Sequence, residues 1–311
     1  MAVRVCVGNR QGGVGKSTIT MMLAHALAVI GKKRVLVIDL DPQCNSSFAL
    51  IGSARWRKAV EDSSTLSDYM GRLMRGRAVR PREFILENVG DVSAGGASTN
   101  VDLMPSAIEL DEDIQEAIID THLADPFNAM NFYVRNLLSD LDEAYEYILM
   151  DCPPGISPLV NAAVFLGHRV VVPFRPDYIS QFALDRMADK VERTGRRGRT
   201  NRRLESIPHA NRRYVSVVNL FGGTAAEKRM LDDYEGVHPR LKTEIKRQTD
   251  IADAFYWHQD PVSLREKYGK AEPQVKQLYG DFIGWLEASQ PGAPAPLPGA
   301  NGDARQAASR T

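Results

Sequence analysis

The chain has 311 residues, 43% hydrophobic and 25% charged, with Lys+Arg and Asp+Glu equal at 39 each. That length buries a large core and suits one α/β domain of about 250–290 residues, while the balanced charge leaves any affinity for nucleic acid to local clustering. No apolar run approaches the roughly 18 residues of a membrane span, and cysteines 6, 44 and 152 form neither a CxxC pair nor a disulfide framework. Without a basic, apolar leader before the first strand, the composition predicts a cytoplasmic protein.

The first element is a buried strand, Val3-Arg4-Val5-Cys6-Val7. A glycine-rich loop follows, Gln11-Gly12-Gly13-Val14-Gly15-Lys16-Ser17-Thr18, and then a helix over 16–30 with Ile19, Met22, Leu23, Ala26, Leu27 and Ile30 at helical spacing. A second β-branched run at 34–39 ends in Asp39-Leu40-Asp41-Pro42-Gln43. Residues 52–100 are weakly patterned, with one helix near Leu66–Met74 and a flexible stretch at 93–98. Further strands are expected at 101–104, 146–151, 169–173 and 214–219, with a weaker one at 242–246. Helices are expected at 107–120, 128–144, 178–194, 224–233 and 271–287. The last helix presents Val275, Leu278, Tyr279, Phe282, Trp285 and Leu286 as an apolar face suited to packing on a sheet. Prolines 291, 294, 296 and 298 among Gly and Ala make 289–311 a disordered tail. All-apolar strands alternating with helices predict a three-layer, doubly wound α/β domain over 1–288, its mainly parallel sheet covered by helices on both faces.

Strand, glycine loop and helix in this order make a phosphate site. Gly12, Gly13 and Gly15 let backbone N–H groups approach phosphate oxygens, and the helix dipole points at the same place. Lys16 adds a point charge, and the Ser17 hydroxyl is suited to Mg²⁺. Asp39, Asp41 and Asp151 stand at the carboxyl ends of predicted parallel strands, where doubly wound folds bind ligands. There they hold a metal's water shell or orient an attacking water.

These motifs together resemble the ParA family of partition and positioning ATPases, within the deviant Walker-A class that also holds MinD. Asp39-Leu40-Asp41-Pro42-Gln43 is similar to the family's switch segment, and Asp151-Cys152-Pro153-Pro154 to its Walker B ending. Thr65-Leu66-Ser67-Asp68-Tyr69, Val101–Ser106, Val170–Pro173, Val217-Val218-Asn219 and Pro261-Val262 resemble further landmarks, so the likeness covers roughly 1–288. The resemblance implies ATP and Mg²⁺ as cofactors. Gly12 through Thr18 would hold the nucleotide and Asn219 would contact adenine. Ser17, Asp39 and Asp151 would serve the metal, and Asp41 the hydrolytic water. It further implies an ATP-bound homodimer, a ParB-like or cargo-adaptor partner, and nonspecific double-stranded DNA on the nucleoid. The proline-rich tail lacks the amphipathic membrane helix of MinD-type proteins, so no membrane partner is expected.

Two features bear on that implication. Between Lys190 and Arg213 stand nine Lys/Arg and two Glu. Arg196, Arg197, Arg199, Arg202 and Arg203 are the candidate DNA contacts, or else a solvated loop. Gln11 occupies the place of the family's signature lysine, which reaches across the dimer to the partner's phosphates. Three readings stay open: Arg10 supplies the cation, another cation or dimer arrangement does, or hydrolysis is very weak and the protein is a nucleotide-gated scaffold.

Overall fold

The structure, a computed structural model, describes residues 1–95, 99–121, 124–194, 209 and 212–288. Its centre is an eight-stranded sheet in the order β3-β4-β2-β5-β1-β6-β7-β8. The strands are β1 (Val3–Val7), β2 (Val35–Asp39), β3 (Leu86–Val89), β4 (Val101–Met104), β5 (Tyr147–Asp151), β6 (Arg169–Phe174), β7 (Tyr214–Phe221) and β8 (Arg240–Lys246). All neighbours pair in parallel except β3, which runs antiparallel to β4 at one edge.

Both faces of the sheet are buried, because alternate side chains of each central strand enter different cores. Cys6, Leu36, Ile38, Ile148 and Met150 join one hydrophobic cluster; Val5, Val7, Val35, Val37 and Leu149 join the other. The first cluster lies under α3 (Leu66–Met74), α4 (Leu110–Asp120), α5 (Pro126–Ser139), α6 (Pro158–Leu166) and α7 (Tyr178–Thr194). The second lies under α1 (Lys16–Val29), α2 (Asn45–Glu61) and α11 (Glu272–Ala288). On α11 Val275, Leu278 and Phe282 are wholly buried, so its aromatic stripe is core. The short helices α8 (Ala225–Asp233), α9 (Thr249–Asp253) and α10 (Leu264–Tyr268) complete the set.

Besides the short α9 and α10, which the sequence does not announce, three elements depart from the sequence expectation. Helix α2 fills part of the weakly patterned stretch; it is polar, lacks a side-chain N-cap and breaks at Gly52 (φ 68°, ψ 164°), so no continuous stripe reveals it. Strand β3 buries only Val89 fully, which leaves no alternation to read. Helix α6 is short and almost entirely apolar, Pro-Leu-Val-Asn-Ala-Ala-Val-Phe-Leu, and a helix buried in this way shows no period.

The topology fixes where a ligand goes. β1 lies between β5 and β6, its following helix covers one face, and the helix after β5 covers the other. The loops leaving β1 and β5 diverge at their carboxyl ends and open a crevice there. No helix among the described residues is long and apolar enough to cross a membrane.

Candidate active site

The crevice is a cleft of about 310 Å³ lined by the loop after β1, the segment after β2, Pro154 and Phe255. Gly13 (φ 71°) and Gly15 (φ 85°) adopt left-handed backbone, which L side chains avoid. Gly15 directly precedes α1, and no side chain caps that helix. Its first N–H groups are thereby left for an anion. Two buried asparagines hold the loop from behind. Asn9 donates to the Pro173 carbonyl at 2.7 Å and accepts from the Gln11 N–H at 3.1 Å. Asn219 donates to the Val14 carbonyl at 2.8 Å, and a Cβ on Gly15 would lie 1.9 Å from its Nδ2. Sequence reading aims Asn219 at adenine; here it is 1% exposed and its amide faces the loop. Asn9 was not singled out from sequence.

Lys16 is buried and donates to the Gln11 carbonyl at 3.1 Å. Burial lowers its pKa, while the carboxylates of Asp151 and Asp41 pull in the opposite direction. Ser17 and Thr18 line the cleft beside it. Gln11 is half-buried, whereas Arg10 is exposed. Arg10 lies near enough to α7 to depress the pKa of Lys190, second to burial.

Asp39 and Asp151 face each other across β2 and β5 in register, both fully buried. Burial and the Asp151 charge raise the pKa of Asp39, and burial raises that of Asp151 against hydrogen bonds from Ser46 and Ser17. Sequence reading did not single out the serines that hold them. Ser47 donates to Asp39 Oδ2 through both N–H (2.8 Å) and hydroxyl (2.7 Å), and Ser46 donates to Asp151 Oδ2 at 2.6 Å. Both sit in the first turn of α2, just after the acidic segment, which was the available signal. Asp41 tops the pair, with its N–H on Asp39 Oδ1 (3.1 Å) and its own Oδ1 accepting from the Gln43 N–H (2.9 Å). Ser17, Asp39 and Asp151 offer hard oxygen donors, and burial makes ionising the two carboxyls costly, a cost that a divalent cation would offset. Mg²⁺ fits this chemistry.

The cysteines are structural: Cys6 and Cys152 are buried with Sγ atoms 3.3 Å apart under the sheet. Arg196, Arg197, Arg199, Arg202 and Arg203 lie outside the described residues, as does 289–311. Arg212 and Arg213, counted with that basic segment, serve the fold instead. Arg212 Nη1 donates to Tyr214 Oη (3.0 Å) and the Val237 carbonyl (2.8 Å), and Arg213 Nη2 donates to the carbonyls of Val164 (3.0 Å) and Gly167.

A family model described as "AAA domain" matches residues 2–206. The chain is 30% identical over 206 residues to the chromosome partitioning protein ParA of Caulobacter vibrioides, covering 65% of this chain and 66% of that one. It is 28% identical over 190 residues to an uncharacterized protein of Methanocaldococcus jannaschii, covering 61% and 65%. The matched stretch therefore spans just under two thirds of these relatives' own length. Among solved structures, a plasmid partition protein from Borrelia burgdorferi bound to AMPPNP superposes with TM-score 0.65 at 18% identity, covering 91% of this chain and 99% of that one. With the phosphate loop, the acidic pair and this sheet order in one crevice, the chain belongs to the AAA domain family as a ParA-type P-loop protein.

Proposed function

We propose that this chain is an Mg²⁺-dependent ATPase that dimerises on binding ATP and partitions DNA or positions a cargo. The observation that carries the reading is a cleft lined by Lys16, Ser17 and Asp41 at the sheet's switch point, with the buried Asp39 and Asp151 behind it. Lys16 and the N–H groups of Gly12 through Thr18 hold the phosphates. Ser17, Asp39 and Asp151 would hold Mg²⁺, which would neutralise phosphate charge when bound. Asp41 orients the attacking water, held by the Gln43 N–H. Phosphoryl transfer needs little more from the protein than such positioning and charge compensation. Partition is supported by the names of the Caulobacter and Borrelia proteins. A ParB-like or adaptor partner, nonspecific DNA and a nucleoid-associated, cytoplasmic location belong to the same proposal.

A second reading, a nucleotide-gated scaffold with negligible turnover, is favoured by the uncharged Gln11. Phosphate release, light scattering and DNA co-sedimentation with and without Mg·ATP separate the two. The first reading expects slow turnover, an ATP-dependent mass doubling and salt-sensitive DNA binding. Lys16→Ala should remove all three, and Asp41→Ala only turnover. Dimerisation with no detectable turnover, alone or with a partner, would leave the scaffold.

A further inference from the structure

We propose that Phe255 is the surface on which the nucleobase of a bound nucleoside triphosphate lies, deepening the nucleotide reading on which it rests. The cleft is polar where the phosphates would sit, with Lys16, Ser17, Thr18, Asp41 and Gln43 on its walls. Phe255 is the aromatic side chain among its described lining residues. The phosphate loop has nothing to offer a base, since its N–H groups serve anions. Asn219 is turned to the Val14 carbonyl. The half-buried Phe255 ring packs against the cluster under α1 and α2, so its remaining face is directed to the cleft.

The backbone around that ring is fixed on both sides. The Phe255 N–H donates to the Ala252 carbonyl at 3.1 Å. Lys267 Nζ donates to the Tyr256 carbonyl at 2.8 Å, and the His258 N–H donates to Asp91 Oδ2 at 2.8 Å. Trp257 is seated on the break in α2, its ring 3.0 Å from where a Cβ of Gly52 would be. A ring held this way loses little freedom when a base covers it. Stacking accepts any π-face, so Phe255 contributes affinity and positions the ribose end while leaving base identity weakly read. Trp257, two residues on, packs at Gly52 on the helix that carries Ser46 and Ser47.

Calorimetric titration of the full chain with Mg·ATP and with inorganic tripolyphosphate tests this. Phe255→Ala should weaken ATP roughly tenfold and leave tripolyphosphate unchanged, with Phe255→Trp restoring ATP. Etheno-ATP bound to Phe255→Trp should be quenched relative to wild type, a signature independent of whether the alanine variant folds well. A wild type that binds ATP together with a Phe255→Ala that matches it overturns the inference alone. Equal loss of ATP and tripolyphosphate also overturns it, since Phe255 would then only support the loop. A wild type that binds neither overturns the nucleotide reading as well.

Discussion

Replacing Lys267 by methionine keeps the volume of its stem and removes the cation from an ion pair wholly enclosed in the protein. Lys267 Nζ contacts Asp91 Oδ2, and both side chains are 0% exposed. Without it, Asp91 keeps the His258 N–H on Oδ2 (2.8 Å), while Oδ1 has no hydrogen-bond partner and His25 Nε2 stands 4.0 Å away. Breaking a buried pair from one side leaves an uncompensated charge, which costs about 3–5 kcal/mol. At roughly 2 °C per kcal/mol for a domain of this size, the melting temperature should fall by about 6–10 °C. Scanning calorimetry and urea unfolding read the change. Asp91→Leu/Lys267→Met removes both charges and should recover part of the loss. The deficit that remains is the loss of partners by the His258 N–H and the Tyr256 carbonyl, about 1–3 kcal/mol each. A Lys267→Met protein within about 1 kcal/mol of wild type would refute the reasoning, because Asp91 could not then be a buried anion dependent on this lysine.

Three further changes have defined outcomes. Gly15→Ala puts a Cβ 1.9 Å from Asn219 Nδ2 at a φ of 85°. It should cost about 1–2 kcal/mol in backbone strain alone and abolish ATP binding in a titration. Adding Asn219→Ala should return part of the stability by relieving the clash. Burial holds the folded pKa of His25 near 3, with the Lys267 charge adding to the effect. The unfolded imidazole binds its proton at about 6.5, so stability is full above that pH and is lost as pH falls through the window from 6.5 towards 3. Between pH 7 and 5 the loss from this group is roughly 2 kcal/mol, and His25→Asn should flatten that part of a urea-midpoint profile against pH. Ser47→Ala removes the 2.7 Å hydroxyl bond to Asp39 and the acceptor for the Ser106 N–H. It should lower stability by about 1–3 kcal/mol, measured by urea unfolding.

Much of this was legible because the central strands are short, mostly apolar runs and the loop after β1 keeps its glycines in register with Lys16. Asp39 and Asp151 were legible as a pair because each ends such a run, and parallel pairing in register does the rest. The supports were harder to read. Ser46 and Ser47 sit in a helix whose pattern Gly52 interrupts, and Asn9 and Asn219 act through carbonyls that any residue carries. Asp91 and Lys267 are 176 residues apart, and each alone reads as a surface charge. Arg212 and Arg213 look like part of a basic stripe until the carbonyls they bind are seen.

Charge balance in the cleft bears directly on Gln11. Lys16 is the lining cation among the described residues, and it faces Asp41 with the buried Asp39 and Asp151 behind. Its Nζ is already shared with the Gln11 carbonyl. Arg10 is exposed, and its closeness to Lys190 places it on the α7 side of the loop. A triphosphate and its developing transition-state charge therefore need a further cation, and the side chain at position 11 is uncharged. A cation supplied at such a point is worth roughly 10³–10⁵ in rate. Gln11→Lys should accordingly raise phosphate release per chain at least tenfold, with ATP affinity changed far less. Arg10→Ala should leave turnover within about twofold, because Arg10 does not line the cleft. Unchanged turnover in Gln11→Lys would mean that the missing charge is supplied elsewhere, and a collapse of turnover in Arg10→Ala would identify Arg10 as its source.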